Sequence, residues 1–227
     1  MRIFAKNLYL MAKAIIAGAS GLIGGQLLNV LLQSSVYKDI TVLVRKELPL
    51  NDKRLKQVVI NFEDLDAHTA EITGDALFCC LGSTKKKTPD RAVYWKIDHD
   101  YPLQLARMAL SNGVKQYHLV SALGAGTSAT NFYLKMKGET EKDISKIVLK
   151  CLHIYRASLL TGHRNEKRFA ERFITALASV INPILIGSLR KYRSIPAKTV
   201  ALAMYKQSLI NQDGVFIHSS DQIKQIA

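Results

Sequence analysis

Tyr133 and Lys137 are spaced i, i+4 in a segment, 131–150, that reads as a helix, so their side chains share one face. A phenol beside an ammonium can give a proton to an oxygen on which negative charge develops. Ser121 precedes Tyr133 by twelve residues, at the end of the apolar run 117–120. A hydroxyl there can hydrogen-bond the same oxygen. Alone, the Y-x-x-x-K spacing carries little. It is common, it is ordinarily an exposed aromatic beside a solvated lysine, and Lys135 shows how unselective a neighbouring lysine is. The spacing gains meaning only if a reactant binds in front of the phenol.

The stretch GASGLIG at 18–24 supplies that context. It follows the apolar run 14–17, which reads as a buried strand, and opens the amphipathic segment 22–32, which reads as a helix. Strand, glycine turn and helix together form a dinucleotide site. Gly18 permits the tight turn, Gly21 lets the backbone approach a pyrophosphate, and Gly24 lets helix and strand pack closely. The amides that open the helix, at Leu22 and Ile23, face the phosphates with the positive end of the helix dipole. Ser20 reads equally as a helix cap or a phosphate contact. The spacing is G-x-x-G-x-x-G rather than G-x-G-x-x-G, so the flanking elements carry the inference.

Further strands read at 40–44, 58–60, 76–81, 117–120 and 152–155, with helical patterns between them. Residues 89–112 read as helical with a break near Tyr101, because Pro102 follows. This alternation predicts a doubly wound parallel α/β sheet of order 3-2-1-4-5-6 in one domain over 1–227, with 157–227 as a small substrate-side elaboration. Gly18, Arg45, Phe62, Gly82 and Ser121 then all fall at the carboxyl ends of strands, where such folds bind ligands. Residues 196–209 read as a helix and 215–217 as a last strand. The uncharged stretch 173–189 is shorter than the roughly 20 residues a spanning helix needs, so it reads as a packed helix and a covering loop.

The 227 residues carry a net charge of +14, spread along the chain. No nucleic-acid motif accompanies that charge, and no nucleic-acid partner is expected. Lys85, Lys86 and Lys87 read as a solvated loop, or as one that attracts an anionic substrate or lipid. A peripheral membrane role is the minority reading. Three cysteines, two of them adjacent, fit a reducing compartment rather than a disulfide framework. The six histidines show no metal-ligand spacing, so no metal is expected. Arg2 and Lys6 before apolar residues resemble an export signal, but cleavage there would destroy the first strand. A cytoplasmic monomer or homodimer is expected, with 1–10 an extension or a misassigned start.

With GASGLIG at 18–24, VLVRK at 42–46, NFEDL at 61–65, FCCLGST at 78–84, KIDHDY at 96–101, LVSALGA at 119–125 and NFYLKMKGE at 131–139, the chain resembles the atypical short-chain dehydrogenase/reductases of the Tat-interacting-protein branch. The resemblance spans nearly the whole chain. It implies that Gly18, Gly21 and Gly24 hold the pyrophosphate of NADP(H), Arg45 meets the 2′-phosphate, Phe62 lies by the adenine, and Leu81 and Gly82 line the ribose side. It implies Ser121, Tyr133 and Lys137 as the catalytic set, with Tyr133 and Lys137 also at the cofactor. Asn61 stands where the family often has Asp, and Ala157 follows Arg156 where it often has Pro. Two functions follow. One is an NADPH-dependent reductase of a small carbonyl compound. The other is a dinucleotide-binding sensor or scaffold with little turnover.

Overall fold

The computed structural model describes residues 12–162 and 192–227. The apolar stretch 173–189 and residues 1–10 lie outside them. Strands β1 (Ala12–Ala17), β2 (Tyr37–Val44), β3 (Leu55–Val59), β4 (Ala76–Cys79), β5 (Gln116–Ala122) and β6 (Cys151–Ala157) form one parallel sheet. The strand predicted at 215–217 is β9 (Gly214–Ser219), which pairs in parallel with the outer edge of β6. The order is therefore β3-β2-β1-β4-β5-β6-β9, the doubly wound order with one strand added. Two short strands, β7 (Leu160–Thr161) and β8 (Ile195–Pro196), pair separately.

Alternation along β1 explains the layering. Ala14 and Ile16 pack to one side, with Leu27, Leu28 and Leu31 of α1 (Leu22–Gln33) and with Val200 and Met204 of α5 (Ala197–Ser208). Ile15 and Ala17 pack to the other, with Leu105 and Ala109 of α3 (Tyr101–Ser111) and Ile144 of α4 (Phe132–Ser145). A sheet covered on both faces needs strands that are apolar along their buried length, which residues 14–17 of β1 and all of β4 provide. Cys79 and Cys80 point to opposite layers, as their adjacency requires. A short helix, α6 (Ser220–Ile226), follows β9 and adds Ile223 to the first layer.

The predicted break near Tyr101 takes another form. Helix α2 (Arg91–Trp95) widens into a π turn, Lys96–Asp100, and continues without interruption into α3. Pro102 is the second residue of α3, directly after the π turn. In an α-helix the amide of residue 102 would bond the carbonyl of Asp98. Proline has none, and the Thr140 hydroxyl from α4 reaches that carbonyl instead, at 3.0 Å. The widened turn buries Asp98 and His99 against α4.

Candidate active site

The glycine turn is built so that side chains would not fit. Gly18 has φ +90°, and a Cβ there would lie 2.7 Å from the Cys80 carbonyl oxygen. A Cβ at Gly24 would lie 2.2 Å from the Gly18 oxygen, and one at Gly21 3.2 Å from it. Gly18 therefore serves the turn, and Gly24 the contact between α1 and the end of β1. Gly21 itself is the N-cap of α1, with no side chain capping the helix. Ser20 is exposed and is not the cap, so the capping alternative falls. The first-turn amides, including those of Leu22 and Ile23, are left for a ligand, and the cradle fits a pyrophosphate. Arg45 is exposed just past β2 and forms no ion pair with a described residue. Phe62 is buried beyond β3, its ring 5.6 Å from that of Tyr101.

Tyr133, Lys137 and Glu141 make one stripe along α4 at successive i, i+4 steps. Asn131 starts the helix by accepting from the amides of Tyr133 and Leu134, at 2.9 and 3.2 Å. Tyr133 is partly exposed, and its ring stacks on Tyr94 at 6.3 Å between centroids. Burial, with Asp98 and Tyr133 adding to it, pushes the Tyr94 phenol up to about 12. Tyr94 thus stays neutral and donates to the Ser83 carbonyl at 3.3 Å.

Lys137 is buried, and its Nζ lies 2.9 Å from Asp98 Oδ1. Burial works against the ammonium, but the charge of Asp98 outweighs it and holds its pKa above the ordinary lysine value. The other oxygen of Asp98 accepts from the Ser83 amide at 2.8 Å. A Cβ on Gly82 would stand 3.3 Å from Asp98 Oδ1 and 4.0 Å from Lys137 Nζ. Asp98 therefore locks the loop after β4 to the lysine of α4. Sequence reading missed it.

Ser121 is placed differently. It is buried in β5 and donates to Glu141 Oε1 at 2.5 Å. Arg156, its register partner on β6, grips the same carboxylate through Nε (3.1 Å to each oxygen) and through a second nitrogen at 2.6 Å. A carboxylate held by a guanidinium only accepts hydrogen bonds, so the direction of the Ser121 proton is set. The structure brings Tyr133, Lys137, Gly82 and Asp98 together, and gathers Ser121, Glu141 and Arg156 into a second group one helical turn further along α4.

The profile of the NAD(P)H-binding family matches residues 18–176, which include the glycine cradle, the Asp98–Lys137 pair and Tyr133. The chain belongs to that family. Protein HTATIP2 of Rattus norvegicus is 32% identical over 193 residues, 83% of this chain and 78% of that protein. Mitochondrial protein FMP52 of Kluyveromyces lactis is 32% identical over 170 residues, 73% and 76% of the two chains. These relatives agree with the dehydrogenase/reductase branch that the sequence resembles. Among solved structures, MoeE5 with UDP-glucose and NAD superposes with a TM-score of 0.70 over 93% of this chain and 79% of its own, at 14% identity. WbmH of Bordetella bronchiseptica with NAD+ also gives 0.70, over 92% and 76%, at 16% identity. At such identities the likeness is one of fold, and the fold is the Rossmann type.

Proposed function

We propose that the chain is an NADP(H)-dependent oxidoreductase that reduces a small carbonyl compound, or oxidises the corresponding alcohol. The observation that carries this reading is the partly exposed Tyr133 phenol, one helical turn before a buried Lys137–Asp98 pair that touches Gly82. When bound, the nicotinamide supplies the two electrons and the hydrogen for carbon. Tyr133 gives the proton to the carbonyl oxygen. Lys137 keeps a positive charge behind that phenol, and Asp98 holds the lysine and the Gly82 loop in one place. The Ser121 hydroxyl donates to Glu141, so we give the donor role to Tyr133 alone. Arg45, past the end of β2, is suited to a 2′-phosphate through a bidentate contact.

The test is NADPH consumption across a panel of aldehydes, ketones and quinones, with Tyr133→Phe beside the unmodified protein. General acid catalysis contributes about 10²–10⁴-fold. The variant should lose turnover on that scale while its NADPH affinity changes little. The same turnover in both proteins on an established substrate would remove Tyr133 from the mechanism.

The commitment of the Ser121 proton favours a second reading, because it leaves the site with one donor where two were expected. That reading is a dinucleotide sensor. Tight NADPH binding with no consumption across the panel would favour it.

A further inference from the structure

Arg91 opens α2, and its guanidinium carbon lies 5.2 Å from the centre of the Phe132 ring. Phe132 directly precedes Tyr133 in the chain. It is flanked by Tyr94 at 6.2 Å and by Trp95 at 6.4 Å. A partly exposed aromatic shelf with a cation on it thus adjoins the phenol. Arg91 is exposed and makes no ion pair with a described residue. The nearest carboxylate in sequence, Asp90, accepts from the amides of Ala92 and Val93, at 2.7 and 3.1 Å.

The loop after β4 adds charge on the same side. The Ser83 and Thr88 hydroxyls close it at 2.6 Å, and exposed Lys85 and Lys86 lie at its tip, without ion pairs among the described residues. Three other cations near the site are paired: Lys137 with Asp98, Arg156 with Glu141, Lys96 with Glu63. Arg91, Lys85 and Lys86 have no such partner among the described residues. Guanidinium on an aromatic face keeps its N–H edge free for an anion.

Resting on the reductase reading above, we propose that the substrate carries an anionic group on a planar or aromatic body. The body packs beside the Phe132 ring, whose face Arg91 covers, with its carbonyl at Tyr133, and the anion pairs with the N–H edge of Arg91. Lys85 and Lys86 draw it in from solution.

The probes are 4-carboxybenzaldehyde and its methyl ester, which share a ring and a reactive carbonyl and differ in charge. Trp95 is the one tryptophan of the chain. Its fluorescence in the NADP-loaded protein reports binding without turnover, and NADPH consumption reports turnover. The acid should bind about tenfold more tightly than the ester, as a charge-assisted contact gives. Arg91→Gln should bring the ratio close to one. Lys85→Gln with Lys86→Gln should lower the association rate of the acid at low salt, and less so at high salt. Equal binding of acid and ester, binding of neither, or an acid preference that survives Arg91→Gln overturns the proposal. Arg91-dependent binding of the acid with no NADPH consumption upholds the anion seat and sinks the reductase reading. Consumption of both probes with equal affinity does the reverse.

Discussion

Asp98 Oδ1 and Lys137 Nζ stand 2.9 Å apart, with side chains 1% and 5% exposed, so each charge depends on the other. Removing one partner of such a buried pair leaves an unbalanced charge and costs about 3–5 kcal/mol. Asp98→Asn keeps an oxygen for the Ser83 amide but strands the ammonium, and should lower stability on that scale in urea denaturation. The double variant Asp98→Asn with Lys137→Met should recover a large part of the loss. Additive losses would show that the two side chains are not coupled.

The Ser121 result separates two roles that one motif had joined. Ser121→Ala removes a hydrogen bond to a carboxylate that Arg156 still satisfies, so the stability loss should be about 1 kcal/mol. Its effect on turnover should stay below about tenfold, against the 10²–10⁴-fold expected for Tyr133→Phe. Steady-state kinetics of the two variants on one substrate decides this. A Ser121→Ala loss as large as that of Tyr133→Phe would mean that the serine proton turns to the substrate during the reaction.

Gly24→Ala meets backbone, not a flexible side chain, so α1 must move away from the turn. Nucleotide affinity should fall sharply, and thermal unfolding should show a loss of stability even without ligand. Gly113 has nothing within 4 Å of its would-be Cβ, but its φ of +68° still disfavours alanine. Gly113→Ala should therefore cost stability without touching nucleotide affinity, which makes it a useful control.

Arg45 bears on cofactor choice. Calorimetric titration should show NADPH binding more tightly than NADH, and Arg45→Ala should remove most of the difference. Equal affinities in the unmodified protein would leave Arg45 a solvated strand end.

A row of rings crosses the sheet at one register level: Phe78, His118, His153 and Phe216. His153 Nδ1 lies 2.9 Å from His218 Nε2, and His118 Nδ1 lies 3.0 Å from the Tyr155 hydroxyl. Burial, then the neighbouring imidazole of His218, pushes His153 down to about 4, and burial puts His118 well below its ordinary value. Both are neutral when folded and take up protons readily when unfolded. Stability is therefore full above an unfolded pKa of about 6.5 and falls as pH drops from there toward 4. For His153 alone the loss is on the order of 3 kcal/mol. His153→Gln should flatten that part of a stability–pH curve, and an unchanged slope would assign the acid sensitivity elsewhere.

The strands and their order were legible because parallel strands buried on both faces are apolar runs, and GASGLIG announced itself by its flanks. Tyr133 and Lys137 were legible through helical spacing. Glu141 continues that spacing and was open to the same reading. Asp98 was not. Its burial depends on a π turn, and periodicity counted at 3.6 residues places 96–100 wrongly. The direction of the Ser121 proton was also hidden, since it depends on Glu141 and Arg156, which are twenty and thirty-five residues away in the chain.

The pairing of β6 with β9 has a consequence for synthesis. Strand β6 ends at Ala157, but its outer neighbour begins only at Gly214. While the ribosome makes the intervening stretch, β6 offers a row of open backbone groups with Leu152 and Ile154 beside it. Such an edge is a template for pairing with another nascent chain. Ribosomes stalled before codon 214 should therefore carry chains that aggregate or recruit chaperones, and chains released after β9 has been made should not.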